Sequence, residues 1–181
     1  MDSLRGRLIV ASPSIFDGNF RQSVVLIAEH SEAGAMGVVL SRQSQTTIAQ
    51  AAPQLEAIID GEEPIHVGGP VQGSALVVLA EFQDPGDSAF TVLEDIGFVA
   101  VGTDIDDLSG AVRNARAFAG HAGWGPGQLE AELEREDWIV MAPRREDIFN
   151  EEPEALWGRL LERKGGAYAL MARMPFDPSV N

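Results

Sequence analysis

A chain of 181 residues, 45% of them hydrophobic and 23% charged, is long enough for one well-cored domain and short for two. Its 28 acidic residues against 13 basic ones give a net charge of −15, a field that opposes contact with DNA, RNA and anionic lipid. No cysteine is present, so disulfides, thiolate catalysis, zinc–thiolate sites and iron–sulfur clusters are excluded.

The first residues, MDSLRGRL, lack the basic start and apolar run of a signal peptide. The apolar runs are all far shorter than the roughly 20 residues that span a membrane. A cytoplasmic location without membrane contact is therefore expected. Residues 1–3 and 177–181 are expected to be loose.

Residues 8–11 form a short apolar run that Ser12-Pro13 stops, a strand. Residues 24–28 are denser in β-branched side chains and predict a buried strand. A turn at Gly34-Ala35 leads into residues 37–40, and the two runs predict a β-hairpin. Residues 47–59 have helical spacing, with Ile48, Ala52, Leu55 and Ile59 on one side, and Pro53 splits the helix or kinks it. Residues 65–67 predict a short strand before Gly68-Gly69-Pro70, and residues 75–82 a longer one. Asp84-Pro85-Gly86-Asp87 is a turn. Residues 90–93 and 98–101 predict another hairpin. Thr103 and Asp106 suit a helix N-cap pair, which predicts a helix over 104–113 that Gly110 weakens.

Residues 115–119 read as a strand. Gly125-Pro126 opens a helix in which Leu129 and Leu133 share the apolar face, with Pro126 at its first position. Residues 138–142 predict a strand, and residues 145–149 and 154–163 predict helices, the second stopped by Lys164-Gly165-Gly166. Residues 168–174 fit either type. Hairpins followed by grouped helices predict an α+β fold, a largely antiparallel or mixed sheet with helices packed against it, in a single compact domain over 1–181.

Motifs for chemistry are sparse. There is no GxxxxGK[ST], and the alternating Gly123, Gly125 and Gly127 read as tight turns beside Trp124. His30, His66 and His121 are too far apart for metal-ligand spacing, so no metal or cofactor is expected. His30 and His66, at or within strands, read as ordinary hydrogen-bonded residues. No GxSxG elbow surrounds Ser12, Ser14 or Ser23. The best helix-turn-helix pair has Glu151, Glu152 and Glu154 in its connection, the wrong charge for DNA. The loop of Asp17, Gly18, Asn19, Phe20 and Arg21 gathers polar side chains between two strands. It reads equally as a binding loop and as an Asp or Asn turn anchored by Phe20.

Several runs, in order along nearly the whole chain, carry a resemblance. They are Gly6-Arg7-Leu8-Ile9-Val10-Ala11-Ser12-Pro13, Asp17 with Asn19-Phe20-Arg21-Gln22-Ser23-Val24, His30, and Gly34-Ala35-Met36-Gly37-Val38-Val39-Leu40. His66-Val67-Gly68-Gly69-Pro70-Val71 follows. The most specific is Gly123-Trp124-Gly125-Pro126-Gly127-Gln128-Leu129-Glu130, with Glu132-Leu133, Trp138, Phe149 and Trp157 behind it. The sequence resembles the bacterial YqgE/AlgH family. It departs where the family has Asn-Arg-Pro and this chain has Ser41-Arg42-Gln43. The resemblance implies a compact α+β domain in the bacterial cytoplasm and no defined activity. Members are labelled transcriptional regulators through a genetic link to alginate production.

Two readings follow. The preferred one is a regulatory or binding module without catalysis or direct DNA contact, acting through a protein or small-molecule partner. The alternative is a ligand-binding protein or enzyme whose pocket uses Asp17, Asn19, Arg21, His30, Trp124 and Gln128. There Arg21 would hold an anionic group, Trp124 would stack on a planar one, and His30 would exchange a proton near neutral pH.

Overall fold

A computed structural model describes residues 2–173. The expected loose end at 177–181, and the last residue of the ambiguous 168–174 segment, lie outside the described residues. So does Met1.

The first three strands are β1 (Leu8–Ala11), β2 (Val24–Ser31) and β3 (Gly34–Val39). Every residue of β1 is fully buried, as are residues 24–27 of β2. These unbroken apolar runs fit strands covered on both faces. Next come β4 (Gln43–Thr47), α1 (Ile48–Ala51), β5 (Pro64–Val67) and β6 (Val71–Phe82). The hairpin of β7 (Phe90–Leu93) and β8 (Ile96–Phe98) precedes β9 (Val112–Trp124). The chain continues through α2 (Gln128–Glu134), β10 (Trp138–Met141), α3 (Arg145–Ile148), α4 (Leu156–Lys164) and α5 (Ala167–Met171).

The strands form one open sheet in the order β10-β1-β2-β3-β9-β6-β8-β7, with β4 and β5 attached beside β9. All these pairings are antiparallel except β5 with β9, which is parallel. The architecture is more sheet-rich than the expected α+β layout, and its helices are short.

Strand β9 joins the parts. Along one edge it pairs with β6; along the other, β5 pairs at Phe118 and Ala119 and β3 pairs at residues 122–124. Alternation along β6 and β9 divides the interior. Leu79 and Phe118 enter the main core with β1, β2, β3 and α4, whereas Val78 and Ala117 face Ile48, Ala52, Leu55 and Ile59. Those four are the side chains whose helical spacing was read from the sequence, and a short 3₁₀ turn after Pro53 completes the split helix. Helix α4 buries Leu156, Trp157, Leu160 and Leu161, and the Trp157 Nε1–H donates to the Ala11 carbonyl at 2.8 Å. Burying each such side chain contributes about 1.5–3 kcal/mol.

Four expectations are corrected. The strand expected over 98–101 is Ile96–Phe98. The helix over 104–113 is only a 3₁₀ turn, Asp106–Leu108. Thr103 Oγ1 donates to the Ala100 carbonyl, and Asp104 Oδ1 accepts the Asp106 N–H, so these side chains stabilise turns instead of a cap. Gly110 then takes φ +84 and releases the chain into a 13-residue β9, far longer than the expected 115–119. Helix α2 starts at Gln128 behind Gly127 at φ +72, so Pro126 precedes the helix. Strand β4 was not foreseen: its sequence, QSQTT, is wholly polar, and it forms by pairing with β5.

The junction where β5 gives way to β3 is tight. The Gly68 N–H donates to the Ala119 carbonyl, and the Gly68 carbonyl accepts the Val39 N–H, both at 2.8 Å. A Cβ on Gly68 would lie 2.2 Å from the Gly120 carbonyl oxygen, whereas one on Gly123 would meet only a side-chain methyl at 3.8 Å. Gly68→Ala is therefore expected to destabilise the fold by about 1–3 kcal/mol, and Gly123→Ala to leave it within about 0.5 kcal/mol or gain slightly. Urea denaturation of both variants checks this; equal effects would contradict the packing described.

Candidate functional site

The resemblance-matched residues gather around the start of α2. Trp124 ends β9 and is 5% exposed. Its Nε1–H donates to Glu132 Oε2 at 2.8 Å, and so does the Nε1–H of Trp138. Gln128 Nε2 donates to Glu132 Oε1 at 3.0 Å, and Gln128 Oε1 accepts the Gly125 N–H. One carboxylate thus collects three donors from the helix, the end of β9 and the start of β10.

Phe20 brings the 17–22 loop to this cluster, stacked on Trp124 at 5.9 Å and edge-on to Trp138 at 5.7 Å. Asp17 Oδ1 accepts the Asn19 N–H at 2.6 Å, an Asx turn. The carbonyls of Asn19 and Arg21 accept from the Arg42 guanidinium, which ties the loop to the segment after β3. Ser41, in the family's Asn position, is buried, and its Oγ accepts the first N–H of β2.

His30 Nδ1 accepts the Leu4 N–H at 3.0 Å, so its proton sits on Nε2, which donates to Glu130 Oε1 at 2.8 Å. The backbone N–H of Glu130 itself, and then this imidazole N–H, hold the Glu130 carboxyl below its usual range. Among the six candidates, Trp124, Gln128 and His30 direct their polar atoms to partners on or beside α2. Asp17, Asn19 and Arg21 shape the neighbouring loop.

A second cluster was not read from the sequence. His66 on β5 is 1% exposed, and among the described residues neither ring nitrogen has a hydrogen-bond partner. The Pro64 carbonyl lies near enough to favour the charged form slightly, without hydrogen-bond geometry. Burial first, and then the neighbouring Arg116 charge, lower His66 to about 4 from 6.5. Its ring sits 5.4 Å from that of Phe118, its register partner on β9.

Arg116, two residues earlier on the same face of β9, is half-buried. Its guanidinium donates to the carbonyls of Ile148 at 2.9 Å and Asn150 at 2.8 Å. Asn150 donates Nδ2 to the Asp147 carbonyl, but its buried Oδ1 is also unpartnered among the described residues.

These side chains line a cavity of about 260 Å³, with Gln43, Glu63 and Glu151 at its edge. A neighbouring cavity of about 350 Å³ shares Glu63, Arg116 and Glu151 and extends to Asp60, Arg113 and Phe149. Buried polar atoms are nearly always paired, and leaving one unmade costs about 1–3 kcal/mol. His66 and Asn150, the residues that carry three such atoms, both line this cavity.

The signal that could have found it is Arg116 itself, a charge inside the apolar run Ala115-Arg116-Ala117-Phe118-Ala119. Among the described residues, no group of three or more His, Asp or Glu side chains is arranged to hold a metal ion.

The sign of the pH effect follows from the direction of the His66 shift. Between pH 6.5 and about 4 the unfolded chain binds a proton at this position and the folded chain does not. Stability is therefore full above pH 6.5 and falls as pH drops toward 4, by at most on the order of 3 kcal/mol. His121, also lowered by burial, acts in the same direction. Stability measured against pH should lose most of this slope in His66→Leu; an unchanged slope would contradict the assignment.

Residues 8–169 match the family described as AlgH-like. A UPF0301 protein of Mycobacteroides abscessus is 35% identical, over 97% of this chain and 87% of that one. Another UPF0301 protein, from Chlorobium limicola, is 36% identical over 99% and 97%. The crystal structure of protein DIP2367 from Corynebacterium diphtheriae superposes with a TM-score of 0.86 at 28% identity, covering 96% of this chain and 93% of that one. The solution structure of AlgH from Pseudomonas aeruginosa gives 0.72 at 28% identity, covering 96% and 95%. With a family match across most of its length and relatives above one-third identity, the chain belongs to the AlgH-like family, the YqgE/AlgH proteins that its sequence resembles.

Proposed function

We propose that this protein is a cytoplasmic, non-catalytic regulatory or binding module. It takes up a small polar ligand in the His66 cavity and acts on a partner without direct contact to DNA. The observation that supports this most is that His66 and Asn150, whose buried atoms Nδ1, Nε2 and Oδ1 are unpaired among the described residues, line one cavity with Arg116. Sites for small molecules combine a formed cavity with a few convergent polar groups. At neutral pH, His66 offers one N–H and one lone pair, so it can both donate and accept.

The alternative, a pocket built from Asp17, Asn19, Arg21, His30, Trp124 and Gln128, stands second. The ring N–H groups of Trp124 and His30 already donate to Glu132 and Glu130.

Charge supports action without DNA contact, because a chain at −15 has few cations to exchange for phosphate counterions. Fluorescence anisotropy at physiological salt should show nothing tighter than the roughly 10⁻⁴–10⁻⁶ M of non-specific binding. A sequence-selective, salt-sensitive complex formed by this protein alone would overturn that part.

A thermal-shift screen against polar metabolites tests the ligand reading. At a concentration of 100 times Kd, a true ligand adds about 2.7 kcal/mol and raises Tm. The gain should vanish in His66→Leu, which still melts cooperatively. If no polar small molecule raises Tm at millimolar concentration, the ligand reading fails.

A further inference from the structure

We infer that the ligand of the His66 cavity is a small zwitterion of the free α-amino acid class. Its carboxylate would sit on Arg116 and its ammonium group would face Glu63 and Glu151. This rests on the reading of the cavity as a ligand site and adds the chemistry of the ligand.

The argument begins with Arg116. The side chain is half-buried, and its hydrogen bonds go to two neutral carbonyls. Among the described residues it forms no ion pair; Glu63 acts on it only from a distance. A partly buried cation with no carboxylate at ion-pair distance favours an incoming anion, and a carboxylate is the planar anion that a guanidinium fork matches best. His66 lines the same cavity beside Arg116.

The rim has the opposite sign. Glu63 and Glu151 are exposed carboxylates that line both the inner cavity and its neighbour, and Asp60 lies beyond. Asn150, whose buried Oδ1 is unpaired among the described residues, also lines the inner cavity. A cation, or an N–H donor, fits there.

Single-sign ligands match only half of this arrangement. A phosphate would gain Arg116 but meet the rim carboxylates, and a simple amine would gain the rim but meet the guanidinium. A neutral heterocycle would leave Arg116 without a counter-charge. A molecule with both signs a few bonds apart satisfies floor and rim together. The inner cavity, about 260 Å³, is below the roughly 300–1,000 Å³ of drug-sized sites and suits a molecule of amino-acid size.

The test uses the full chain and four probe sets at equal millimolar concentration. They are the free α-amino acids, acetate and inorganic phosphate as anions, methylamine as a cation, and adenine and uracil as neutral heterocycles. At least one amino acid should raise Tm, while acetate, phosphate and methylamine do not. Calorimetry with that amino acid should show roughly tenfold weaker Kd in Glu63→Gln, the loss expected for one charge-assisted contact. Because Glu63 is exposed, the unliganded variant should melt as the natural chain does.

Stabilisation by acetate or phosphate alone would overturn the zwitterion and leave an anion site. Stabilisation by adenine or uracil alone would overturn it in favour of a neutral ligand. An amino acid that binds equally well to Glu63→Gln would overturn the proposed seating. In each of these cases the small-ligand reading survives; stabilisation by none of the probes would overturn the zwitterion, and failure across the wider metabolite screen would remove the reading beneath it.

Discussion

The parts of this sheet depend on β9 having both edges paired. On one side it carries β6, and through it the β7–β8 hairpin; on the other it carries β5 and then β3. That second edge can serve two strands only if one ends where the other begins, and Gly68 and Gly120 make the exchange within a few ångströms. Strands β3, β2, β1 and β10 follow outward from this point. The same pairing sets His66 opposite Phe118 and puts Arg116 on the same face, so the geometry that joins the parts of the sheet also positions the candidate site.

The two polar clusters differ in how their groups are satisfied. Around α2, a single carboxylate, Glu132, takes both indole N–H groups and the Gln128 amide, and His30 is fixed as one tautomer between Leu4 and Glu130. Such satisfied networks rigidify and specify packing. Around Arg116, carbonyls at and beyond the end of α3 are bound, but His66 and Asn150 keep buried atoms that are unpartnered among the described residues. Two buried carboxylates are paired: Asp147 receives both ends of the Arg163 guanidinium, and Glu81 that of Arg145. Arg42, like Arg116, has its guanidinium bound to two carbonyls; Arg116 differs in lining a cavity together with His66 and Asn150, which carry unpartnered buried atoms.

Much of the fold was legible where apolar patterning was strong. The runs that became β1, β2 and β3 are β-branched and buried, and the split helix over 47–59 placed its four apolar residues as expected. Strand β4 was not legible because QSQTT has no apolar face; only its pairing with β5 makes it a strand. The helix expected over 104–113 failed because Asp104 and Thr103 bond locally and only Leu108 is buried in its turn. For the site, Trp124, His30 and Gln128 were visible through their resemblance to a family, but sequence could not show which partners would take their polar atoms. His66 looked like an ordinary strand histidine, since a lack of partners is a property of tertiary packing. Asn150, beyond the end of α3, gave no signal.

The central claim is that His66 is polar for the sake of something outside the fold. If so, the imidazole is a burden on the unliganded protein, and an apolar side chain of similar reach should fit better among Phe118 and its neighbours. Equilibrium unfolding in urea at neutral pH, without ligand, compares the natural chain with His66→Leu. The account predicts that the leucine variant is the more stable, by about 1 kcal/mol. A loss of stability of comparable size would show that the imidazole serves the fold itself, and would contradict the claim.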